Sequence, residues 1–389
     1  MAHCGLLVRH AVASRARPPA RAGPRYIRGV ADSGRVGVVV VTFDSPTALV
    51  RRCLDSVAAS FGDDSLGICD VVVVDNASSI PPEVNAPARL IRRTSNDGFA
   101  AAVNAGVAAL DPSCSAVFLL NPDAHVAPDA IALCLARLNG APDDVVAVAP
   151  KMLLDEGGDD GRTNGAPTID AVGIGVNGRA EAANRGLGQP DLGQYDDSDD
   201  VFGACFGAAM IRRSALEPDG VGPLDEKLFL YYEDVAWCWS AQLLGYRVVT
   251  EPRAVVRHVM SAGVVRERPY DFKFEHTERN LLLCALMFFE LPRAVRVAAR
   301  RTLGIVRGSI LGRHYPAAGL RALRGVLVLL PHVYRTRRRV TRRRRRSDIE
   351  IVSYRSDEPI FFDSVRYAVA DPAEAERFAR ARLRERAAP

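Results

Sequence analysis

Two runs of valine near the start of the chain constrain its fold more than any other feature. Residues 35–43 read RVGVVVVTF and are bounded by Gly34 and by the turn-forming sequence DSP. Their length and β-branched side chains predict a strand that is buried on both faces. A second strand of this kind is predicted at residues 70–74, and residues 47–60 between the two have apolar side chains at helical spacing. The pattern predicts a strand–helix–strand unit with parallel strands.

The same alternation continues along the chain. Further strands are predicted at residues 89–92 and 116–120, with a helix at residues 100–110. Alternating strands and helices are typical of an α/β fold, in which helices flank a mostly parallel sheet. Ligands bind such sheets at the carboxyl ends of the strands, so the polar residues directly after each strand are the candidates for function.

The composition divides the chain into four segments. Residues 1–34 are rich in arginine and are predicted to be a disordered leader. The α/β domain is expected at residues 35–268, a helical basic extension at residues 269–347, and a last segment containing a helix at residues 348–389. Within the α/β domain, residues 155–200 are rich in glycine, aspartate and asparagine, which predicts long loops or a flap.

Charge is distributed unevenly, although the net charge is only +5. Residues 293–346 contain seventeen arginines and no carboxylate, whereas most acidic residues lie between Asp44 and Glu290. This asymmetry predicts an acidic body with a basic arm that lies outside it. The arm contains the run RTRRRVTRRRRR, which is typical of polyanion binding. Because the run lacks interleaved aromatic side chains, no specific nucleic-acid binding is expected.

The eight cysteines form no C-x-x-C pair, and most have apolar neighbours. We therefore expect buried free thiols in a reducing compartment, with neither a zinc site nor a disulfide framework. No stretch reaches the ~20 consecutive apolar residues that a membrane-spanning helix needs.

Four clusters of short polar side chains follow successive predicted strands, at residues 42–44, 75–78, 96–99 and 121–123. Any one of them is explained by helix capping or by a turn. Four at one edge of a sheet point to a ligand. A carboxylate there can accept hydrogen bonds from a ribose or a base, and a second can hold a divalent cation against a diphosphate.

These motifs occur in the order VVVVTFDSPTALVRRCLDSV, VVVVDNASS, NDGFAAAVNAGV, FLLNPDA and LDEKLFLYYEDVAWCWSAQLLGYRVV, followed by VVRH, across residues 36–258. In this order they resemble a family 2 glycosyltransferase, in particular the bacterial rhamnosyltransferase-type branch. The resemblance implies that residues 35–268 form a catalytic domain of the GT-A type, with one nucleotide-sugar site. Thr42 and Asp75 would then contact the nucleoside, and Asn96 would help to hold it.

The resemblance also implies a divalent cation, Mn²⁺ or Mg²⁺. Asp123 would be the metal carboxylate of a D-x-D-like motif whose first position is Asn121 in this chain. His258, at the end of an apolar run, matches a histidine that completes the metal site in related transferases. Asn121 and Asp123 would therefore both face the nucleotide sugar.

Catalysis would depend on Glu233 and Asp234, at the start of a predicted helix. By resemblance, Asp234 is the base that removes the proton from the acceptor hydroxyl, and Glu233 orients the acceptor or the base. Many relatives have Asp where Ala236 stands and Arg where Ser240 stands, so this chain departs from the pattern around the diphosphate and acceptor.

The implied function is an inverting transfer of a sugar, with rhamnose favoured, to a hydroxyl of a glycan or lipid-linked glycan in cell-wall or polysaccharide assembly. A UDP-linked hexose, galactofuranose or N-acetylhexosamine is the alternative donor sugar, and polyanion binding through the arginine run is the alternative of another class. A dinucleotide oxidoreductase is disfavoured because no G-x-G-x-x-G follows the first strand. The basic segment predicts a cytoplasmic protein bound peripherally to the anionic inner face of the cell membrane.

Overall fold

A mixed β-sheet forms the centre of the computed structural model. The structure describes residues 34–60, 68–155, 162–163, 165–197, 199–259, 270–312, 315–354, 361–363, 368–369 and 371–387 of the 389-residue chain. The predicted leader, apart from Gly34, and the predicted domain boundary at residues 268–269 lie outside the described residues. Everything described belongs to one compact unit, Ala31–Pro389.

The described residues form sixteen strands, and the four predicted at residues 35–43, 70–74, 89–92 and 116–120 lie close to their predicted positions. The sixteen strands are β1 (Val36–Thr42), β2 (Ile68–Asp75), β3 (Ala88–Arg92), β4 (Ala116–Leu120), β5 (Ala124–Val126), β6 (Val145–Leu154), β7 (Arg162–Thr163), β8 (Ala166–Pro167), β9 (Ile169–Ala171), β10 (Ile174–Val176), β11 (Ala182–Asn184), β12 (Asp200–Val201), β13 (Ala208–Arg212), β14 (Arg247–His258), β15 (Phe362–Asp363) and β16 (Ala368–Val369).

The main sheet has the strand order β12-β14-β6-β13-β4-β1-β2-β3, with β5 paired to β14 and β9 paired to β6. The strands β4, β1, β2 and β3 run parallel, as do β6 and β14, whereas β13 is antiparallel to both of its neighbours. The prediction of an α/β fold with a mostly parallel sheet is confirmed.

Helices cover both faces of this sheet. They are α1 (Thr47–Ala59), α2 (Phe99–Ala109), α3 (Ala130–Asn139), α4 (Arg213–Leu216), α5 (Glu233–Leu243), α6 (Tyr270–Phe288), α7 (Leu291–Ile310), α8 (Pro316–Val328), α9 (Leu330–Arg343), α10 (Asp348–Val352) and α11 (Pro372–Ala387), with a 3-10 turn at Glu226–Leu228.

The valine run of β1 is buried on both faces, as predicted. Val38 and Val40 pack in one apolar cluster with α1 and α3, while Val39 and Val41 pack in another with α2, α5 and α6. Each buried aliphatic side chain stabilises the fold by about 1.5–3 kcal/mol. Because both faces are covered, polar side chains are confined to the strand ends, where the predicted clusters lie.

The expectation of long loops at residues 155–200 is only partly correct. Short strands lie in this segment, and β9 extends the main sheet by pairing with β6. Ile169 and Val172 are fully buried there. Apolar residues alternating with polar ones form these strands although the overall composition favours loops.

The expectation that the arginine run lies outside the folded body is wrong. Helix α9 buries Val333 and Val340 against the core of the α/β fold. Arg337 donates to the carbonyl oxygens of Leu286 and Phe289, at 2.7 and 2.8 Å. These carbonyls belong to the end of α6, where a helix leaves its last carbonyls without backbone partners, and a guanidinium group satisfies them. Part of the run is therefore structural.

The expectation that no disulfide forms is also wrong, because Cys69 and Cys114 are joined at an S–S distance of 2.01 Å. Both Ile68 and Ala116 pair with Val36, on opposite sides of β1, which brings the two cysteines together. The other cysteines that the structure describes are free, as predicted. Among the described helices, none is long and apolar enough to cross a membrane.

A close backbone approach joins the loop after β3 to the segment before α5. The N–H of Phe99 donates to the carbonyl oxygen of Phe229 at 2.8 Å. Gly98, at φ 93°, lies against the same carbonyl, and a Cβ on Gly98 would overlap that oxygen. Phe229, Tyr231 and Tyr232 themselves have φ values of 67°, 66° and 70°. The residue at 98 must therefore be glycine.

We expect Gly98→Ala to destabilise the protein by at least about 3 kcal/mol, since it adds a backbone clash to a conformation that only glycine adopts readily. Gly222→Ala is the matched control, because Gly222 has φ 104° but a Cβ added there would meet no atom within 4 Å. The control should lose only about 1–2 kcal/mol. Equilibrium urea unfolding measures both, and equal losses would contradict the close approach.

Candidate functional site

The nucleoside side of the candidate site lies at the ends of β1 and β2, where Thr42 is the register partner of Asp75. Asp75 is fully buried, and its Oδ1 accepts a hydrogen bond from the N–H of Ser78 at 2.9 Å. Its Oδ2 accepts no hydrogen bond from the described residues, and the nearest cationic atom is Nε of Arg92 at 3.6 Å. A buried carboxylate oxygen in this state can accept a hydrogen bond from the imide of a base.

Asn96 lies beside this carboxylate but shapes the loop with its own side chain. Its Oδ1 accepts from Nδ2 of Asn76 at 2.7 Å and from the N–H of Gly98 at 3.1 Å. Asn104, further along α2, bonds both the N–H and the carbonyl oxygen of Leu224 at 3.0 Å, which ties α2 to the far side of the site. The predicted contact of Asn96 with the nucleoside stays a prediction.

The predicted metal residues meet at the ends of β4 and β14. Nε2 of His258 lies 3.2 Å from Oδ1 of Asp123, and Nδ2 of Asn121 lies 3.4 Å from the same nitrogen. The N–H of Val259 donates to the carbonyl oxygen of Asp123 at 3.0 Å, so the two strand ends are also joined through the backbone.

Asp170 completes this arrangement and was not predicted from the sequence. Its Oδ2 lies 2.8 Å from Nδ1 of His258, and the residue is only 1% exposed. A carboxylate on one imidazole nitrogen orients the ring and directs the other nitrogen to a metal. One sequence feature could have identified Asp170, namely its position in the largely apolar run TIDAVGIGV. A carboxylate buried in such a run needs a hydrogen-bonding or charged partner.

The protonation of His258 follows from its two carboxylate neighbours. Burial alone lowers the pKa of His258, but Asp123 and Asp170 outweigh burial and raise the pKa to about 10. Without a cation the imidazole therefore carries a positive charge. Binding of a metal at Nε2 has to displace that proton.

The spacing of Asp123 and His258 suits one divalent ion. Ligand distances of about 2.1 Å put neighbouring ligands of an octahedral ion about 3 Å apart, close to the separation of Oδ1 and Nε2. The described part of the chain contains no group of three or more His, Cys, Asp or Glu side chains arranged for a metal. The protein would thus supply two ligands, leaving the other positions to phosphate oxygens and water.

The two residues predicted to act on the acceptor, Glu233 and Asp234, are the first two residues of α5. Asp234 is partly exposed, and its Oδ1 accepts from the N–H of Val235 at 2.7 Å. The N–H of Phe206 lies close enough to lower the pKa of Asp234. Glu233 is 7% exposed, and its Oε2 accepts no hydrogen bond from the described residues. The positive end of the helix dipole favours negative charge at both positions.

Burial keeps this carboxyl pair from ionising fully at ordinary pH. Burial and the negative charge of Asp234 raise the pKa of Glu233, and burial raises the pKa of Asp234 to a smaller extent. Two neighbouring carboxyl groups whose pKa values are pushed apart take different roles. The pair therefore retains a proton to higher pH than two separate exposed carboxyl groups would, and the pKa of Glu233 is raised more than that of Asp234.

The two sides of the site are joined by the backbone before β13. The carbonyl oxygen of Gly207 accepts from the N–H of Asn121 at 2.8 Å. The N–H of the preceding residue, Phe206, lies close enough to Asp234 to lower the pKa of that carboxyl group. Asn121, of the predicted metal motif, and Asp234, the predicted base, thus contact consecutive residues of one segment. The structure brings together all the predicted site residues at one edge of the sheet.

Comparison with known proteins agrees with this geometry. Residues 37–219 match the family model described as Glycosyl transferase family 2. The match covers β1 to β13 and therefore includes Thr42, Asp75, Asn121 and Asp123. No curated protein matches the chain.

Several solved structures resemble the chain at low identity. GalNAc-T7 with UDP, GalNAc and Mn²⁺ is 13% identical over 72% of this chain and 52% of its own, with a TM-score of 0.49. A mannosyltransferase of Pyrobaculum calidifontis, in complex with GDP-Man and Mn²⁺, is 18% identical over 79% of this chain and 84% of its own, with a TM-score of 0.41. S. aureus TarS 1-349 is 14% identical over 85% and 94%, with a TM-score of 0.43.

This chain thus spans about half the length of the GalNAc-T7 structure. The strand order, the polar strand ends and the family match agree with one another. Residues 37–219 are thus similar to glycosyl transferase family 2, and the sheet that they build has the GT-A α/β fold.

Proposed function

We propose that the enzyme transfers its sugar by a single displacement that inverts the anomeric configuration, with Asp234 as the base. The observation that carries this proposal is the neighbouring carboxyl pair of buried Glu233 and partly exposed Asp234, which lies near Phe206, while the next residue, Gly207, bonds Asn121. Asp234, the proposed base, lies at one end of this short link, and the edge proposed to bind the diphosphate lies at the other. This arrangement suits an acceptor hydroxyl that attacks the sugar from the side opposite the leaving group.

Asp234 removes the proton from the acceptor hydroxyl as the oxygen attacks the anomeric carbon. The N–H of Val235 holds the carboxylate in place, and the N–H of Phe206 lies close to it. Glu233, which keeps its proton, can donate a hydrogen bond to the acceptor or to the base. The nucleoside diphosphate leaves from the opposite face of the sugar.

Asp123 and His258 would hold Mn²⁺ or Mg²⁺, which neutralises the charge that develops on the departing diphosphate. Asp170 holds the His258 ring so that Nε2 faces Asp123. The proposal of an ion is supported by this donor set, a carboxylate oxygen and an imidazole nitrogen 3.2 Å apart at the diphosphate edge. Thr42, Asp75 and Asn96 bind the nucleoside.

The proposed donor sugar is rhamnose, on the motif resemblance across residues 36–258, and a UDP-linked hexose, galactofuranose or N-acetylhexosamine is the alternative. The proposed acceptor is a hydroxyl of a glycan or lipid-linked glycan in cell-wall or polysaccharide assembly. The departures at Ala236 and Ser240 concern the acceptor side, since both residues lie on α5 and are almost fully buried.

We further propose that the protein works at the anionic inner face of the cell membrane. Leu320, Arg324 and Leu327 follow one another at helical spacing on α8 and are exposed, the two leucines by 57% and 66%. Ile310 on α7 is 78% exposed. Apolar side chains interleaved with arginines complement an anionic bilayer. Polyanion binding is the lesser alternative, because arginines such as Arg337 are engaged by backbone carbonyls.

We expect Asp234→Asn to reduce turnover by about 10²–10⁴-fold, because the amide cannot accept the proton. Donor affinity should stay within about twofold. Release of nucleoside diphosphate and donor affinity are measured together, with dTDP-rhamnose compared with UDP- and GDP-sugars. Asp219→Asn is the control, since Asp219 is exposed in the preceding loop.

Glu233→Gln should retain activity within about tenfold, since the glutamine reproduces a neutral donor. Because the pKa of Asp234 is raised to about 6, the ionised base is lost as the pH falls through that value, and the rate should fall with it. More than a tenth of wild-type turnover in Asp234→Asn would exclude Asp234 as the base.

We expect Asp123→Ala to weaken binding of the nucleotide sugar only when Mn²⁺ is present, because the carboxylate acts through the ion. His258→Ala should show the same pattern more mildly. Asp170→Asn should reduce Mn²⁺ affinity by about 10–100-fold, as for other residues that orient a ligand. Isothermal titration with Mn²⁺ or EDTA measures this, with exposed Asp143→Ala as control. Equal losses in EDTA would argue for direct donor contact instead.

We expect the full-length protein to sediment with phosphatidylglycerol vesicles at low salt, and less at high salt. The variant Leu320→Ser/Leu327→Ser should bind about tenfold more weakly, since it removes apolar area from the contact. Ile80→Ser is the control, because Ile80 is 82% exposed in the loop after β2, outside α7 and α8. A protein that stays in the supernatant at low salt would refute the membrane proposal.

A further inference from the structure

A cavity of about 730 Å³ lies between the turn before β11 and helices α6 and α7. Its charged lining residues are Arg179, Glu181, Glu278, Arg296, Arg300 and Arg301. Four arginines against two glutamates leave a formal excess of two positive charges. Such a cavity is built to receive an anion.

The two glutamates are already engaged inside this lining. Arg301 donates from Nε to Glu278 at 2.6 Å and from Nη1 to Glu181 at 3.1 Å. Arg179 donates to the other oxygen of Glu181 at 2.8 Å. The glutamates therefore hold the walls of the cavity together and fix the guanidinium group of Arg301 in position.

Arg296 and Arg300 have no carboxylate partner within the described part of the chain. They are four residues apart on α7 and so lie on the same face of the helix. Two neighbouring guanidinium groups without an acid between them match the oxygens of a phosphate or diphosphate.

The cavity adjoins the acceptor side of the site through Tyr232. The hydroxyl of Tyr232 donates to the carbonyl oxygen of Ala180 and accepts from the N–H of Ala182, both at 3.2 Å. These residues flank Glu181 of the cavity lining, and Tyr232 directly precedes Glu233 and Asp234. Tyr232 therefore links the wall of the cavity to the start of α5, where the proposed base lies.

Apolar surface continues from the cavity along the same helix. Val297 and Ile305 line it, and Gly304 and Gly308 add no side chain. Leu303 and Ile310, seven residues apart, continue the face of Arg296 and Arg300 and are 69% and 78% exposed. An anionic group at the arginines could thus carry a hydrocarbon chain along α7.

We propose that Arg296, Arg300 and Arg301 bind the phosphate or diphosphate of a lipid-linked acceptor, an inference that rests on the proposed function. The sugar of this acceptor would extend past Tyr232 to Asp234, and its lipid would lie along Leu303 and Ile310. The cavity is then the acceptor's anion subsite, separate from the diphosphate site at Asp123.

The test uses the full-length protein in EDTA, with farnesyl diphosphate, inorganic diphosphate and farnesol as probes in isothermal titration. Farnesyl diphosphate should bind more tightly than either other probe. The variant Arg296→Ala/Arg300→Ala should weaken it by about tenfold or more, and the double lysine variant should restore part of the affinity. Saturating UDP should leave the affinity unchanged, because UDP occupies the donor side.

Arg335→Ala/Arg338→Ala is the control, since both arginines are exposed on α9 and the variant removes the same charge. Equal weakening in the control would overturn the subsite, because net charge alone would then explain the binding. Loss of binding to phosphatidylglycerol vesicles without loss of soluble farnesyl diphosphate would also overturn it, in favour of a bilayer headgroup.

Nucleotide-sugar binding with Mn²⁺ is measured on the same wild-type preparation. Wild-type protein that binds no nucleotide sugar would refute the proposed function, whatever farnesyl diphosphate does. Nucleotide-sugar binding together with an unaltered affinity for farnesyl diphosphate in Arg296→Ala/Arg300→Ala would refute the anion subsite alone.

Discussion

The position of β1 between β2 and β4 is the constraint on which the site depends. Its parallel register places Thr42 opposite Asp75 and Val40 opposite Leu120, so that Asn121 follows at the same edge. From Asn121 a single backbone hydrogen bond reaches Gly207, and the next residue back contacts the predicted base. A slip of β1 would misplace nucleoside, metal and acceptor groups together. Gly37 opposes such a slip, because a valine moved into its position would overlap Leu110, which lies 2.6 Å from a Cβ built there.

The sequence alone could predict those parts of the molecule that depend on local pattern. The valine runs and the polar residues behind them determine the strands and the edge at which Asp75 and Asp123 lie. Contacts between distant segments could not be predicted. Asp170 meets His258 across 88 residues, and its position depends on β9 joining the sheet. Cys69 likewise meets Cys114 only because both segments flank β1.

Two protons in this site offset negative charge on carboxylates. His258 is held as a cation between two carboxylates, and one proton is kept by the carboxyl pair at the start of α5. Under the proposed function, a divalent ion would displace the first proton, whereas the second would stay with the carboxyl pair. Donor and acceptor halves therefore respond to pH through different groups. Metal loading is favoured at higher pH because it competes with the proton on His258.

The arginines of α9 differ in how freely they could change during evolution. Nη1 of Arg337 donates to two carbonyl oxygens at the end of α6, so replacement of this arginine by an apolar residue would leave both without this donor. Arg338 and Arg339 are exposed, and their replacement would alter little except surface charge. The arginine run therefore contains two groups of residues, those that bond backbone carbonyls and those that are exposed, and selection acts on them differently. We expect homologous chains to vary in the second while retaining the first, so that the charge of this surface can be adjusted without loosening the helix from the enzyme.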